Sequence, residues 1–119
     1  MQFTLFIYQG TTPLPNSDAW EALPADEQQR IYADYAALNK NPSVSGGLPL
    51  GLPAQAKTVR VEHGEAVTSD GPYAGSGGAV GGYLVLEADD EAAAIALAAT
   101  IPAARHGGGI EVRPVEKYW

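Results

Sequence analysis

The chain has no cysteine, one methionine, two histidines and only 18% charged residues in a length of 119. Without cysteine there is no disulfide, no thiolate metal site and no thiol nucleophile. The two histidines, His63 and His106, stand apart with no HExxH spacing, so neither a metal nor another cofactor is expected. Bases are scarce, 7 against 14 acids, and they form no run; the footprint of a phosphate-backbone binder is missing and no direct nucleic-acid partner is expected. Long apolar runs are missing too. The longest, Ala92 to Ala99, falls far short of the roughly 20 residues that cross a bilayer. The opening segment carries no basic n-region, so no membrane partner and a cytoplasmic location are expected.

What is present fits one domain over residues 1–119, large enough for one two-layer core. In the segment 2–9, Phe3, Leu5 and Ile7 alternate with Thr4, Phe6 and Tyr8, which predicts a strand with bulk on both faces, hence a central one. The loop after it holds Pro13 and Pro15, which cannot serve a sheet ladder. Ser17 or Asp18 suits the cap of a short turn carrying Trp20 and Leu23. Pro24 opens an amphipathic helix with Asp26 and Glu27 against its positive end and Ile31, Tyr35 and Leu38 at helical spacing, ending near 39–41. The glycine- and proline-rich 44–52 segment is predicted to hold at best a short or bulged strand. Residues 57–62 and 65–68 alternate around His63-Gly64 and predict a hairpin. Residues 82–87 read as a strand, Asp89 as the cap of an alanine-rich helix from Asp90 to about Ile101 with Ile95, Ala98 and Ala99 toward the sheet, and 110–115 as the last strand. This order predicts an α+β sandwich in which both helices cover one face of a mainly antiparallel sheet, with a ferredoxin-like fold as the natural candidate. The other face, with Phe6, Tyr8, Tyr83 and Val85, then needs a partner, most simply a second copy in a homodimer.

Several segments together, the early strand ending in Ile7-Tyr8, the turn Thr68-Ser69-Asp70-Gly71-Pro72-Tyr73, Gly81-Gly82-Tyr83, Ile101-Pro102-Ala103-Ala104-Arg105 and Ile110 to Val115, resemble the YCII-related proteins. In detail they resemble the branch named for its Asp-Gly-Pro-Phe (DGPF) motif. The resemblance runs in order along nearly the whole chain. It implies a ferredoxin-like domain that pairs into a dimeric α/β barrel. For function it implies one of two classes. One is cofactor-independent acid–base chemistry of a lyase or dehydrochlorinase kind; the other is a non-catalytic regulatory module with a protein partner in transcription initiation, beside extracytoplasmic-function sigma factors. Three features depart from the family pattern. Tyr73 stands in place of the motif's Phe, Gly75-Ser76-Gly77-Gly78 occupies a stretch that is charged in many relatives, and no histidine precedes His63 to match an early-helix histidine.

Asp70 is the leading candidate for a catalytic carboxylate, a general base on a loop entering a strand; the same residue before Gly-Pro also suits an Asx turn. His106, after the second helix, can orient or protonate a small-molecule substrate, or simply face the helix's carbonyl end. Tyr8, Tyr73 and Tyr83 can line a pocket and orient a small polar aromatic ligand, with dimer core as the other reading of Tyr83. His63 reads as a solvated turn residue, and Trp20 and Trp119 as packing or interface residues. The 75–82 glycine stretch reads as a connection, because Val80 falls where GxGxxG needs glycine and no Walker lysine follows. Ser76 lacks the GxSxG frame of a hydrolase elbow.

Overall fold

A computed structural model describes residues 1–75 and 78–118. Ser76 and Trp119, discussed above, lie outside them. Among the described residues six strands and three α-helices follow one another as β1 (Gln2–Tyr8), α1 (Asp18–Glu21), α2 (Ala25–Lys40), β2 (Val44–Pro49), β3 (Lys57–Glu62), β4 (Glu65–Asp70), β5 (Val80–Glu87), α3 (Glu91–Ala98) and β6 (Gly109–Pro114). Four strands make the main sheet in the order β2-β5-β1-β6. All its pairings are antiparallel, and β1 is central with β5 and β6 on its flanks. Strands β1 and β2 thus run parallel with β5 between them, which is the crossover that α2 spans. The sheet is open and does not close into a barrel. No helix among the described residues is long and apolar enough to cross a membrane.

Register decides which side chains meet the helices. Phe3, Leu5 and Ile7 lie opposite Leu86, Leu84 and Gly82 on β5, and Leu5 and Ile7 lie opposite Val112 and Ile110 on β6. These residues share the helix-covered face, since directly paired residues point the same way. Phe3, Leu5, Ile7 and Leu86 form the core with Leu38 of α2, Ala94 and Ala98 of α3, and Ile101. Burying a side chain of Leu5's size contributes about 1.5–3 kcal/mol, and Leu5 is wholly buried. The opposite face carries Thr4, Phe6, Tyr8, Tyr83 and Val85, all half-buried.

The caps are local chemistry. Ser17 accepts the Trp20 amide at 3.1 Å to start α1. Pro24 caps α2, and Asp26 and Glu27 occupy its first turn. For α3 the cap is Asp90, whose carboxylate accepts the Ala93 amide at 2.8 Å, one residue later than the sequence predicts. The helix is also shorter, ending at Ala98 before a single 3-10 turn at Pro102–Ala104. Its orientation matches expectation at Ala98, which is buried, and differs at the others: Ala94 is buried with it, whereas Ile95 is half exposed and Ala99 exposed. Two small residues four apart let α3 approach the sheet more closely than isoleucine would allow.

Strands β3 and β4 form a separate two-stranded sheet. His63 and Gly64 both take positive φ, 52° and 80°, as a type I′ hairpin turn requires. The hairpin runs two residues further than predicted, so Asp70 is the last residue of β4 and not part of a loop. It projects as an arm: the Cα radius of gyration is 16.2 Å, against roughly 13.5 Å for a compact domain of this length. Between α2 and the arm, β2 is a true strand with a bulge between Val44 and Gly46. Gly47 takes φ 137° there, and a Cβ on it would sit 2.3 Å from the Tyr83 carbonyl oxygen.

Candidate functional site

The helix-covered face is not filled evenly. At the end of the sheet where β1 runs into its proline-bearing loop, a cavity of about 340 Å³ opens between α2, β5 and the 9–15 segment. Ile7 and Leu84 form its floor from the sheet. Ile31 and Tyr35 wall it from α2, and Trp20 from α1. Trp20 is fixed by an edge-to-face contact with Tyr32, ring centroids 5.3 Å apart at 73°. Pro13 and Pro15 of the loop after β1 carry the chain around the mouth, and Gly81 and Gly82 keep the β5 side low because they have no side chain to project.

Polar residues line this apolar space on two sides, Gln9 and Thr12 after β1 and Tyr35 and Asn39 on α2. Thr12 is buried at 9% exposure and its hydroxyl has no hydrogen-bond partner; the Oε1 of Gln9 is likewise buried and unpartnered. Both residues line the cavity, and the Thr12 amide donates to the Gln9 carbonyl at 2.9 Å, which fixes them on one tight turn. Burial pushes the Tyr35 phenol above its ordinary value, while a hydrogen bond from Gln9 and the nearby Arg105 charge oppose part of that rise. Tyr35 is therefore protonated and able to donate at neutral pH.

Beside this space a charged cluster ties α2 to the turn before β6. Arg105 reaches Glu27 at 3.2 Å and Asp34 at 2.8 Å, and His106 Nε2 lies 2.8 Å from Glu27 Oε1. An ionised carboxylate can only accept, so His106 Nε2 is the donor. The His106 hydrogen bond is the largest cause holding the Glu27 carboxyl below its ordinary range; burial opposes it, and Arg105 and Arg30 assist. Glu27, Ile31, Asp34 and Leu38 fall on one side of α2 at helical spacing, so two acids share the inward face with the apolar residues. That pattern was the available sequence signal for this cluster. Reading Glu27 only as a complement to the helix dipole misses it. Among the described residues no group of three His, Cys, Asp or Glu side chains is placed to hold a metal ion.

The residues singled out from sequence are scattered. Asp70 is exposed, with its side chain at 87%, and forms an ion pair across the arm with Lys57, its register partner. It does not line the cavity. The turn after it is held by its neighbours: the Gly71 amide donates to the Ala56 carbonyl at 2.8 Å and Thr58 Oγ1 to the Gly71 carbonyl at 2.7 Å. Tyr73 is 81% exposed. Tyr8 alternates with Ile7 and lies on the open face of the sheet. His106 is partly buried in the Glu27 cluster and does not line the cavity. Tyr83 alone of the five borders it. Sequence reasoning missed Gln9, Thr12 and Tyr35 as polar groups of one site, because a helix position and two loop positions converge only through the fold.

Comparison with curated proteins gives no match for the chain. Comparison with family models does: the YCII-related domain matches residues 1–118. That match spans β1 through β6 and every residue of the cavity, and the chain belongs to the YCII-related domain family.

Proposed function

We propose that this is a small-molecule-binding protein and that the cavity beneath α2 is its binding site. The observation that carries the reading is a space of about 340 Å³ walled by Trp20, Ile31, Tyr35 and Leu84, with the polar residues Gln9, Thr12 and Asn39 also on its lining. Apolar walls supply affinity and a few fixed polar groups supply orientation, which is the usual composition of a ligand site. Among the described lining residues the titratable side chain on the cavity's side of the sheet is the Tyr35 phenol; Tyr83 borders the space from β5 with its side chain on the opposite face. Asp70 and His106, the acid–base candidates of the sequence, lie outside it, so this reading is binding and not turnover. The test follows the methyl resonances of Ile31 and Leu84 while toluene is added. Saturable shifts, with those of Leu84 abolished in Ile31→Phe where the added ring occupies the space, support the site. Absence of shifts, or shifts unchanged in that variant, refutes it.

The same proposal includes a ferredoxin-like homodimer of the DGPF branch in the cytoplasm. The strand order β2-β5-β1-β6 and the α2 crossover support the fold. The half-buried Phe6, Tyr8, Tyr83 and Val85 on the open face support pairing with a second copy. Light scattering at micromolar concentration tests it, and a monomer refutes it.

A second reading has one observation in its favour. Val59 and Val61 stand 62% and 71% exposed on one face of the arm, as suits a non-catalytic interaction module in transcription initiation. It predicts that Val59→Ser with Val61→Ser abolishes partner binding while toluene still fills the cavity.

A further inference from the structure

The strand edges of this chain differ in whether they can take another strand. In the main sheet the outer strands are β2 and β6. The Leu50 amide donates inward to the Gly81 carbonyl and the Val115 amide to the Gln2 carbonyl, so alternation turns positions 49 and 114 away from the sheet. Both are proline, with no N–H to offer there. The arm has no such block. The Gly71 amide donates to the Ala56 carbonyl, and Glu62 lies opposite Glu65 across the two-residue turn, so positions 56, 58, 60 and 62 bond inward. Lys57, Val59 and Val61 on β3 and Ala66, Thr68 and Asp70 on β4 therefore turn their N–H and C=O groups outward, and none of the six is proline. Among the described residues the arm's sheet holds only these two strands.

The sequence of β3 complements itself. Val59 and Val61 stand exposed on one face, and Arg60 and Glu62 lie 3.4 Å apart on the other. When two β3 strands meet antiparallel about a two-fold axis at Val61, Arg60 falls opposite Glu62 of the second copy, and Glu62 opposite its Arg60. Positions 60 and 62 bond inward, so these are non-hydrogen-bonded pairs, in which side chains come closest. The four charges then alternate, each arginine between two carboxylates, while Val61 exchanges two backbone hydrogen bonds with its counterpart. An axis at position 60 instead sets arginine against arginine, and one at Val59 sets Arg60 against Thr58, so charge selects Val61. Overall repulsion is not concentrated here: residues 57–70 hold two bases against three acids, one of the chain's seven net negative charges. We infer that β3 is a self-pairing edge, through which two copies of the chain join arm to arm as a four-stranded sheet β4-β3-β3-β4. Val59, Val61 and Ala66 of both copies share one face of that sheet, and four strands are stable where a lone ribbon is marginal. This contact is separate from the packing of open sheet faces proposed above, and below the concentration at which it forms each arm is a lone ribbon.

Because the chain has no cysteine, an introduced one is its sole thiol. Val61→Cys sets two thiols across the axis with Cα atoms about 5.5 Å apart, inside the range a disulfide bridges. In a glutathione redox buffer this variant is expected to form a covalent dimer at least about tenfold faster than Ala66→Cys, whose thiol shares the same arm face but not the axis. Adding Arg60→Glu to Val61→Cys opposes acid to acid and lowers the rate to that of Ala66→Cys. Adding Glu62→Arg opposes base to base and does the same, although it brings the net charge nearer zero and would speed an unspecific encounter. Mixing these two double variants restores fast cross-linking, since every charge then meets its opposite across the axis. Equal rates for Val61→Cys and Ala66→Cys overturn the inference. So does cross-linking that follows net charge alone, or a mixture no faster than its components; association through the open sheet faces alone gives that insensitive pattern.

Discussion

Two residues of α2, one cavity wall and one core position, make a matched pair for testing whether the space beneath that helix is real in solution. Ile31 and Leu38 sit seven residues apart on the same helix face and are 5% and 4% exposed. Truncating either to alanine removes three carbons, so the transfer loss is the same, about 2.4 kcal/mol at 0.8 per methylene. What differs is the surroundings. Leu38 belongs to the packed core with Leu5, Leu86 and Ala98, whereas Ile31 has the cavity on one side. Removing Leu38 leaves new empty volume inside a close-packed cluster, which brings the total to roughly 3–4 kcal/mol. Ile31 already lacks packing partners on its open side and has fewer dispersion contacts to lose. Alanine also restores a few tenths of a kcal/mol of helix propensity relative to isoleucine, so Ile31→Ala costs about 2 kcal/mol. In urea, with an m-value of roughly 1.5 kcal/mol/M, the two midpoints differ by about 1 M with Leu38→Ala the lower. Unfolding followed by tryptophan fluorescence and by far-UV circular dichroism reads both. Equal midpoints, or a larger loss at Ile31, would mean that the wall is packed and that the reasoning about the cavity is wrong.

Three other outcomes are expected. Glu27 titrates below its ordinary value of 4.5 in the folded chain, so its contribution to stability is present above that pH and is lost as pH falls through the lower, folded value. The stability gap between wild type and Glu27→Gln, from urea midpoints between neutral and acid pH, narrows as the carboxyl protonates; a gap independent of pH contradicts the assignment. Asp70→Asn breaks only an exposed pair with Lys57 and changes stability by less than about 1 kcal/mol, leaving toluene binding as in wild type; a thermal-shift assay that finds a large loss of either would restore a structural or site role to this residue. Gly47→Ala puts a Cβ 2.3 Å from the Tyr83 carbonyl oxygen at φ 137° and costs more than about 2 kcal/mol, while Gly46→Ala, with nothing within 4 Å, stays within about 0.5 kcal/mol. Similar melting temperatures for the two glycine variants would refute the close approach of β2 to β5.

Local pattern carried most of the fold. The alternation of Phe3, Leu5 and Ile7 identifies β1, Pro24 with Ile31 and Leu38 identifies α2, and His63-Gly64 marks the hairpin turn, because in each case a short-range rule and the tertiary environment agree. Helix α3 was harder for a physical reason. Every position from 92 to 99 is apolar, so no polar face marks its orientation, and the sheet selected the small residues Ala94 and Ala98 over the larger Ile95. Asp89 and Asp90 offer the same capping oxygen, and only the backbone of Asp90, extended at φ -156°, presents it to the Ala93 amide. The site was legible least of all. His106 and Glu27 are 79 positions apart, and no spacing rule joins them. Asp70 stood out by its turn motif, yet the cross-strand lysine that accounts for it in the fold is Lys57, thirteen residues earlier.

The arm of β3 and β4 bears on how unfolding of this chain is to be measured. Among the described residues its ladder runs between its own two strands, continued by the Gly71–Ala56 bond, and it shares no sheet with β1. A lone two-stranded ribbon is at best marginally stable in water. Its amides therefore exchange with solvent through local opening, well before those of β1, which exchange only when the main sheet comes apart. Trp20 and the arm consequently report two different cooperative units, and a denaturation curve takes its meaning from which unit its probe belongs to.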